Sequence, residues 1–390
     1  MGEGREKIKL QEGDAEIGIT KITDKGTYFI VQLDRKAVLQ HIKEFDARIN
    51  QLNTQIENEL SPQRDAFIAK TLKESGAIGL SNDYLDFDDA MKTLIDLRGG
   101  ATVRTPYVNY ALVDPDHTLS KFFNSHANAK NQENSPGMQL EKTLSPKQKA
   151  AFVEYVERHE EGHSTRTGPE IFTPETIEFD GKEYKTLKLD AKNIGLGEAG
   201  ADFYAAVMLL KNNPEARSVM EIVGDAQTIK FLRNDMNFGR TSLMQYHFGN
   251  FFAISTALEL SPDAIEKMSE EDIVKIASEQ FDSLCERTTR VETEVKNDIY
   301  KEMEILSRET GRTPSLKEAV DSLRSKDVYS TAPGKISGED NAIKFLTLEN
   351  MKAALDRLEQ KGIELSGDVF KPPAPQSPPN PSGVKPLVPG

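Results

Sequence analysis

The sequence predicts an α+β fold, predominantly helical, with small β-hairpins set among helices. Two stretches alternate apolar and polar residues around tight turns: residues 15–33 around Asp24-Lys25-Gly26, and residues 176–189 around Asp180-Gly181. Elsewhere apolar residues recur at helical spacing, with cap residues at the starts and glycine at the stops. Nearly everything from Ser261-Pro262 onward has this helical character.

The first hairpin comprises residues 16–22 and 27–33. Asp34 then caps a helix expected to run to about Leu60, carrying Ile42, Phe45, Ile49, Leu52 and Ile56 at heptad-like spacing. Fewer than four heptads favour a packed arm over a free coiled coil. Ser61-Pro62 is expected to open another helix ending near Gly76. Residues 77–100 read as a turn and a helix stopped at Gly99-Gly100. Residues 101–113 are strand-like, and Pro106 within them argues for an edge strand. The polar stretch 125–137 reads as a loop.

Ser145-Pro146-Lys147-Gln148 has the form of a helix start: Ser145 as N-cap, Pro146 at the first helical position, Gln148 closing a capping box. Phe152, Val156, His159 and His163 share one face of this helix, with Val153 and Tyr155 beside it, and Gly168-Pro169 closes the segment. Later starts are expected at Ser269-Glu270-Glu271-Asp272, after Thr313-Pro314 and after Thr347. Stops are expected at Gly311 and Gly362.

The chemistry is concentrated in His159-Glu160-Glu161-Gly162-His163. Two histidines four apart on a helix point the same way, about one turn apart, so two imidazoles can reach one metal ion. A glutamate beside the first can touch a metal-activated water without being a ligand. The competing reading is a pair of satisfied core histidines on an amphipathic helix. A catalytic zinc also needs a third protein ligand and an open position. Ser164-Thr165-Arg166-Thr167-Gly168-Pro169 lacks the metzincin Gly and His extension. Further on, Glu198 and Asp202 stand four apart at the head of an apolar helical run, with small residues Ala199, Gly200 and Ala201 between them. If Glu198 faces the metal, Asp202 lies on the same side and could accept the second N–H of a ligand histidine. Glu170, Glu178, Asp180, Glu183 and Asp190 are alternative third ligands, ranked below Glu198.

His-Glu-x-x-His followed by Glu-x-x-x-Asp resembles the gluzincin group of zinc metallopeptidases, the thermolysin-like arrangement, over residues 159–204. The resemblance implies His159, His163 and Glu198 as Zn²⁺ ligands, Glu160 as general base and Asp202 as the residue orienting a ligand histidine. It implies a zincin-like core and an endopeptidase acting on a protein or peptide substrate. Gluzincins commonly take an oxyanion donor from a downstream His or Tyr, and position suggests His247 and the adjoining Tyr246. Tyr155 and Tyr204 rank second. The substrate backbone in such folds pairs with an edge strand near the metal helix, and residues 101–113 are the candidate. His41, His117 and His126 have no partner at ligand spacing and read as structural or exposed.

Four segments follow: residues 1–76 as hairpin and helical arm, 77–260 as the catalytic domain, 261–370 as a helical domain, and 371–390 as a disordered Pro-rich tail. The tail could serve a domain that reads polyproline II, with a bare terminus as the alternative. Net charge is −14, with no basic run, which argues against a nucleic-acid partner. The single cysteine, Cys285, excludes an intrachain disulfide and reads as a packing residue. No stretch has membrane-spanning length, so no membrane insertion is expected. The charged N-terminus lacks a signal-peptide core. The chain therefore reads as cytoplasmic, or as an effector exported without a signal peptide. The rival functions are a zinc hydrolase of a non-peptide amide and a helical binding or scaffold protein with a structural or accidental metal pair.

Overall fold

The computed structural model describes residues 8–26, 28–78, 80–81, 101–104, 107–113, 136–165, 172–179, 181–189, 196–233, 250–282, 285–326 and 338–363. Its elements, in chain order, begin with strands β1 (Ile19–Asp24) and β2 (Phe29–Asp34) and helices α1 (Arg35–Gln40) and α2 (Ile42–Ser75). Strands β3 (Leu80–Ser81), β4 (Ala101–Arg104) and β5 (Val108–Val113) follow, then α3 (Pro136–Lys142) and α4 (Pro146–Ser164). Next come β6 (Phe172–Phe179), β7 (Lys182–Leu189), α5 (Glu198–Asn212) and α6 (Arg217–Arg233). The C-terminal half holds α7 (Asn250–Glu259), α8 (Pro262–Lys267), α9 (Glu270–Ile276), a π-helical turn at Ala277–Asp282, α10 (Cys285–Thr310), α11 (Leu316–Ser325) and α12 (Glu339–Gln360). The predominantly helical α+β class is observed.

Strands β1, β2, β5 and β4 lie side by side in that order. The β1–β2 hairpin turns at Asp24-Lys25-Gly26, where the Gly26 N–H donates to Asp24 Oδ1 (2.7 Å) and Gly26 takes φ +84°. A left-handed φ at a turn suits glycine, which has no Cβ to clash. β2 then pairs parallel to β5, Phe29 with Val108 through Asp34 with Val113. This ladder joins sequence on both sides of position 76, so a division there does not coincide with a break in hydrogen bonding.

Period-two alternation explains how this sheet is covered. Phe29, Val31 and Leu33 of β2 and Val108, Tyr110 and Leu112 of β5 share a buried core with Phe45, Ile49, Leu52, Ile56 and Leu60 of α2. The opposite face meets α4: Asn109 Nδ2 donates to Ser164 O (2.6 Å), and Val113 belongs to the core that contains Phe152 and Tyr155. The strand-like run 101–113 is thus two antiparallel strands. Of these two, β5 is interior and β4 lies at an edge of the sheet among the described residues.

Helix boundaries differ from expectation at three places. Asp34 does cap α1, its Oδ1 accepting from the N–H groups of Lys36 and Ala37, but the helix breaks at His41 and restarts. From Ile42, α2 continues through Pro62 to Ser75, with Gly76 closing it at φ +68°. Proline removes one helical hydrogen bond. The buried seam from Phe45 to Leu60, continued by Ile68 and Leu72 against Leu187 of β7, holds both halves on one axis. Likewise α12 starts at Glu339, ahead of the expected start after Thr347, because residues 339–346 extend the same helix. The second hairpin, β6–β7, is four residues longer at its start than its alternation implies, and β3 pairs with it.

The remaining caps match the pattern of the sequence. Ser145/Gln148 and Ser269/Asp272 form reciprocal capping boxes, and Ser315/Glu318 forms a third. Helix α4 stops at Ser164, before Gly168-Pro169. α5, α6, α7 and the C-terminal helices close over α4 in one core that runs from Val113 to Ile363. No helix among the described residues is long and apolar enough to cross a membrane. Of the turn and helix expected over residues 77–100, residues 80–81 form strand β3 instead and 82–100 lie outside the described residues, as do the Pro-rich tail, His117 and His126.

Candidate metal centre

Helix α4 carries His159, Glu160 and His163 toward its C-terminal end, and Glu198 opens α5 across from them. The two helices approach closely because small residues meet. A Cβ placed on Gly162 would lie 3.1 Å from Ala201 Cα and 3.1 Å from Tyr204 Cδ1. Gly197 is the N-cap of α5, which leaves Glu198 in its first turn, where the helix dipole favours a carboxylate.

The side chains converge. His159 Nε2 and His163 Nε2 are 3.0 Å apart, their ring planes nearly perpendicular at 88°. Glu198 Oε2 lies 3.3 Å from His159 Nε2, and Glu198 Oε1 lies 3.6 Å from His163 Nε2. One donor atom from each of the three residues falls within 4.8 Å of the others. Bonds of about 2.0–2.2 Å at tetrahedral angles separate donor atoms by about 3.3–3.6 Å. The two Glu198 separations fall in this range and the His159–His163 separation of 3.0 Å is slightly shorter, so the group could hold a small divalent cation after a small outward shift of one ring.

The rear nitrogens of both rings are held. His163 Nδ1 is 2.8 Å from the carbonyl oxygen of Leu196. A carbonyl only accepts, so this contact puts the proton on Nδ1 and leaves the Nε2 lone pair facing the triad. His159 Nδ1 lies 2.6 Å from Asp202 Oδ1, an ion-pair distance, although the ring is not aligned for a linear hydrogen bond. Asp202 is itself anchored: Tyr155 Oη donates to Oδ1 (2.5 Å) and Gln227 Nε2 donates to Oδ2 (2.9 Å).

The charges favour a cation. Burial opposes protonation of His159, but the carboxylates of Asp202 and Glu198 more than offset it and raise its pKa well above the ordinary value. Burial and the neighbouring His159 charge oppose protonation of His163, yet Glu198 and Glu160 raise its pKa too. Burial would raise the Glu198 carboxyl, while the two imidazoles hold it well below the usual range. Three carboxylates around two imidazoles form a site that favours positive charge, whether carried by protons or by a metal ion.

Glu160 is buried and turned toward the sheet. Thr102 Oγ1 on β4 donates to Glu160 Oε2 at 2.8 Å. The adjacent Glu161 pairs with Arg158 (2.7 Å) and with Lys21 of β1 (3.7 Å). A polar pocket of about 440 Å³ between the first hairpin and α4, lined in part by Lys21, Gln32, Glu157 and Arg158, contains none of the three donors.

Other expected residues fall elsewhere. Tyr155 Oη is buried and committed to Asp202, and Tyr204 Oη donates to Glu270 Oε1 (3.0 Å), so neither hydroxyl is presented as an oxyanion donor. Glu178 and Glu183 face each other across the exposed β6–β7 hairpin as a cross-strand pair, outside the triad. His41 marks the break between α1 and α2. Tyr246, His247, Glu170, Asp180 and Asp190 lie outside the described residues, and the side chain of Cys285 is likewise not described. Sequence reasoning did not anticipate Thr102, Gln227 or the Leu196 carbonyl. Each acts across at least 25 residues of chain, and none belongs to a motif. No protein-family model, curated protein or solved structure matches the chain.

Proposed function

We propose that this protein is a zinc-dependent peptidase, with His159, His163 and Glu198 holding the metal and Glu160 as general base. The observation that carries this reading is the convergence of three donor atoms, with the far nitrogen of His159 beside Asp202 and that of His163 on the Leu196 carbonyl. Two nitrogens and one carboxylate oxygen suit zinc in a site that keeps a coordination position for water.

Zinc bound there would acidify a water and polarise the scissile carbonyl. Glu160, next to His159 on the metal helix and buried, takes the water proton and delivers it to the leaving amine. Asp202 keeps the His159 imidazole oriented, and Leu196 O keeps the His163 tautomer fixed. The edge strand β4 lies against the same helix through Thr102. An extended peptide adding to that edge would run beside the metal centre, which favours a peptide over a compact amide.

Metal analysis and one variant test the proposal. The full chain should retain near-stoichiometric zinc and cleave an internally quenched peptide library. Glu160→Gln should keep the zinc and lose about 10²- to 10⁴-fold in kcat. Activity surviving in Glu160→Gln would remove the general-base role. Failure of the full chain to retain zinc would favour an accidental histidine pair, and a fourth protein ligand closing the tetrahedron would favour a structural site.

A further inference from the structure

A hydroxyl on β4 donates directly to the carboxylate of Glu160. We propose that Thr102 is a positioning residue for Glu160, an assignment that rests on the peptidase reading above. Thr102 pairs with Ala111 of β5 and presents its side chain to α4. Its Oγ1 has two acceptors in reach: Glu160 Oε2 at 2.8 Å and the Glu160 main-chain oxygen at 3.2 Å. A threonine hydroxyl carries one proton. The main-chain oxygen already accepts from Ser164 Oγ at 3.0 Å, and a carboxylate is the stronger acceptor. The proton therefore goes to Oε2.

Glu160 is only 6% exposed, so water supplies few competing donors to its carboxylate. Thr102 fixes the carboxylate plane and occupies one oxygen. That assigns the other, Oε1, to the proton taken from water. Thr102 also stands on the strand that an extended substrate would join. Substrate docking and orientation of the base thus share one short strand, and a substrate that stiffens β4 also steadies the base.

A purely structural Thr102, tethering β4 to α4 by packing, makes the opposite prediction for two near-isosteric variants. Thr102→Val keeps the volume and removes the donor; Thr102→Ser keeps the donor and removes the methyl. Both are measured as full-length, zinc-loaded chains on the quenched peptide library. Thr102→Val should lose about 10- to 100-fold in kcat, the effect of a misplaced reacting group, with KM within about twofold and zinc content unchanged. Thr102→Ser should stay within about threefold of the parent chain. The assignment fails if Thr102→Val retains full kcat, if Thr102→Ser is as impaired as Thr102→Val, or if Thr102→Val loses zinc. If the valine variant does not fold, Thr102→Ala replaces it, with the same outcomes read against Thr102→Ser. A parent chain that retains zinc but cleaves no peptide overturns the peptidase reading and this assignment with it. Cleavage by the parent that is unchanged in Thr102→Val overturns the assignment alone.

Discussion

Gly162 of α4 faces Ala201 of α5 so closely that a methyl on the glycine would meet Ala201 Cα at 3.1 Å. This contact sets the spacing between the two helices that carry the metal donors. A larger residue at 162 must push α5 away by tenths of an ångström, and Glu198 moves with it. Gly162→Val should destabilise the chain by about 1–3 kcal/mol, the usual cost of overpacking. It should also weaken zinc binding at least tenfold, a shift readable by chelator competition. Unchanged zinc affinity in a folded Gly162→Val protein would show that the spacing does not matter.

Asp202 should matter for the metal without being a ligand. Asp202→Asn keeps the shape but replaces the carboxylate beside His159 Nδ1. Loss of such orienting partners typically costs 10- to 100-fold in metal affinity. Gln227→Leu removes a donor to the other Asp202 oxygen and should weaken zinc in the same direction by a smaller factor. Titration calorimetry on both variants would rank them, and the reverse order would contradict the proposed role of Asp202.

At the N-terminus, Arg48 of α2 clamps Asp14 with two hydrogen bonds, Nε to Oδ1 at 2.8 Å and Nη2 to Oδ2 at 3.0 Å, both side chains nearly closed off from solvent. Burial would raise the Asp14 carboxyl, but the Arg48 guanidinium and the Gln11 N–H hold it below its ordinary value of 3.8. A depressed carboxyl stabilises the fold above the unfolded pKa and ceases to do so as pH falls through the folded one. Stability should therefore drop below pH 3.8 in the parent chain, and Asp14→Asn should flatten that part of the profile. Arg48→Met leaves the buried carboxylate without its cationic partner and with the Gln11 N–H as donor, a change expected to cost about 3 kcal/mol in urea unfolding.

If peptides add to β4, their backbone N–H groups carry part of the binding. Peptides N-methylated at successive positions should lose about fivefold or more in kcat/KM at alternate residues, since one net hydrogen bond is worth about 1 kcal/mol. A flat response along the peptide would place the substrate elsewhere.

Local chemistry was the legible part of this chain. The Ser145/Gln148 box, the Asp24–Gly26 turn and the His159/His163 spacing depend on residues a few positions apart, and the structure contains each of them. Glu198 was reachable because its helix start carries small residues suited to close packing. Long-range pairings were not. Nothing local marks Thr102 as a partner of Glu160, 58 residues away, or β2 as the parallel neighbour of β5. Pro62 was misleading for the converse reason: local propensity argued for a break, and burial along α2 overrode it.

The place of β2 bears on how this protein can be handled. Because β2 lies between β1 and β5, a fragment beginning after residue 76 would strip the ladder from one whole side of β5 and uncover its apolar residues. Bare interior strands of that kind seek other chains. Such a shortened protein should come out of expression as aggregate, with the helix bearing His159 and His163 deprived of its floor.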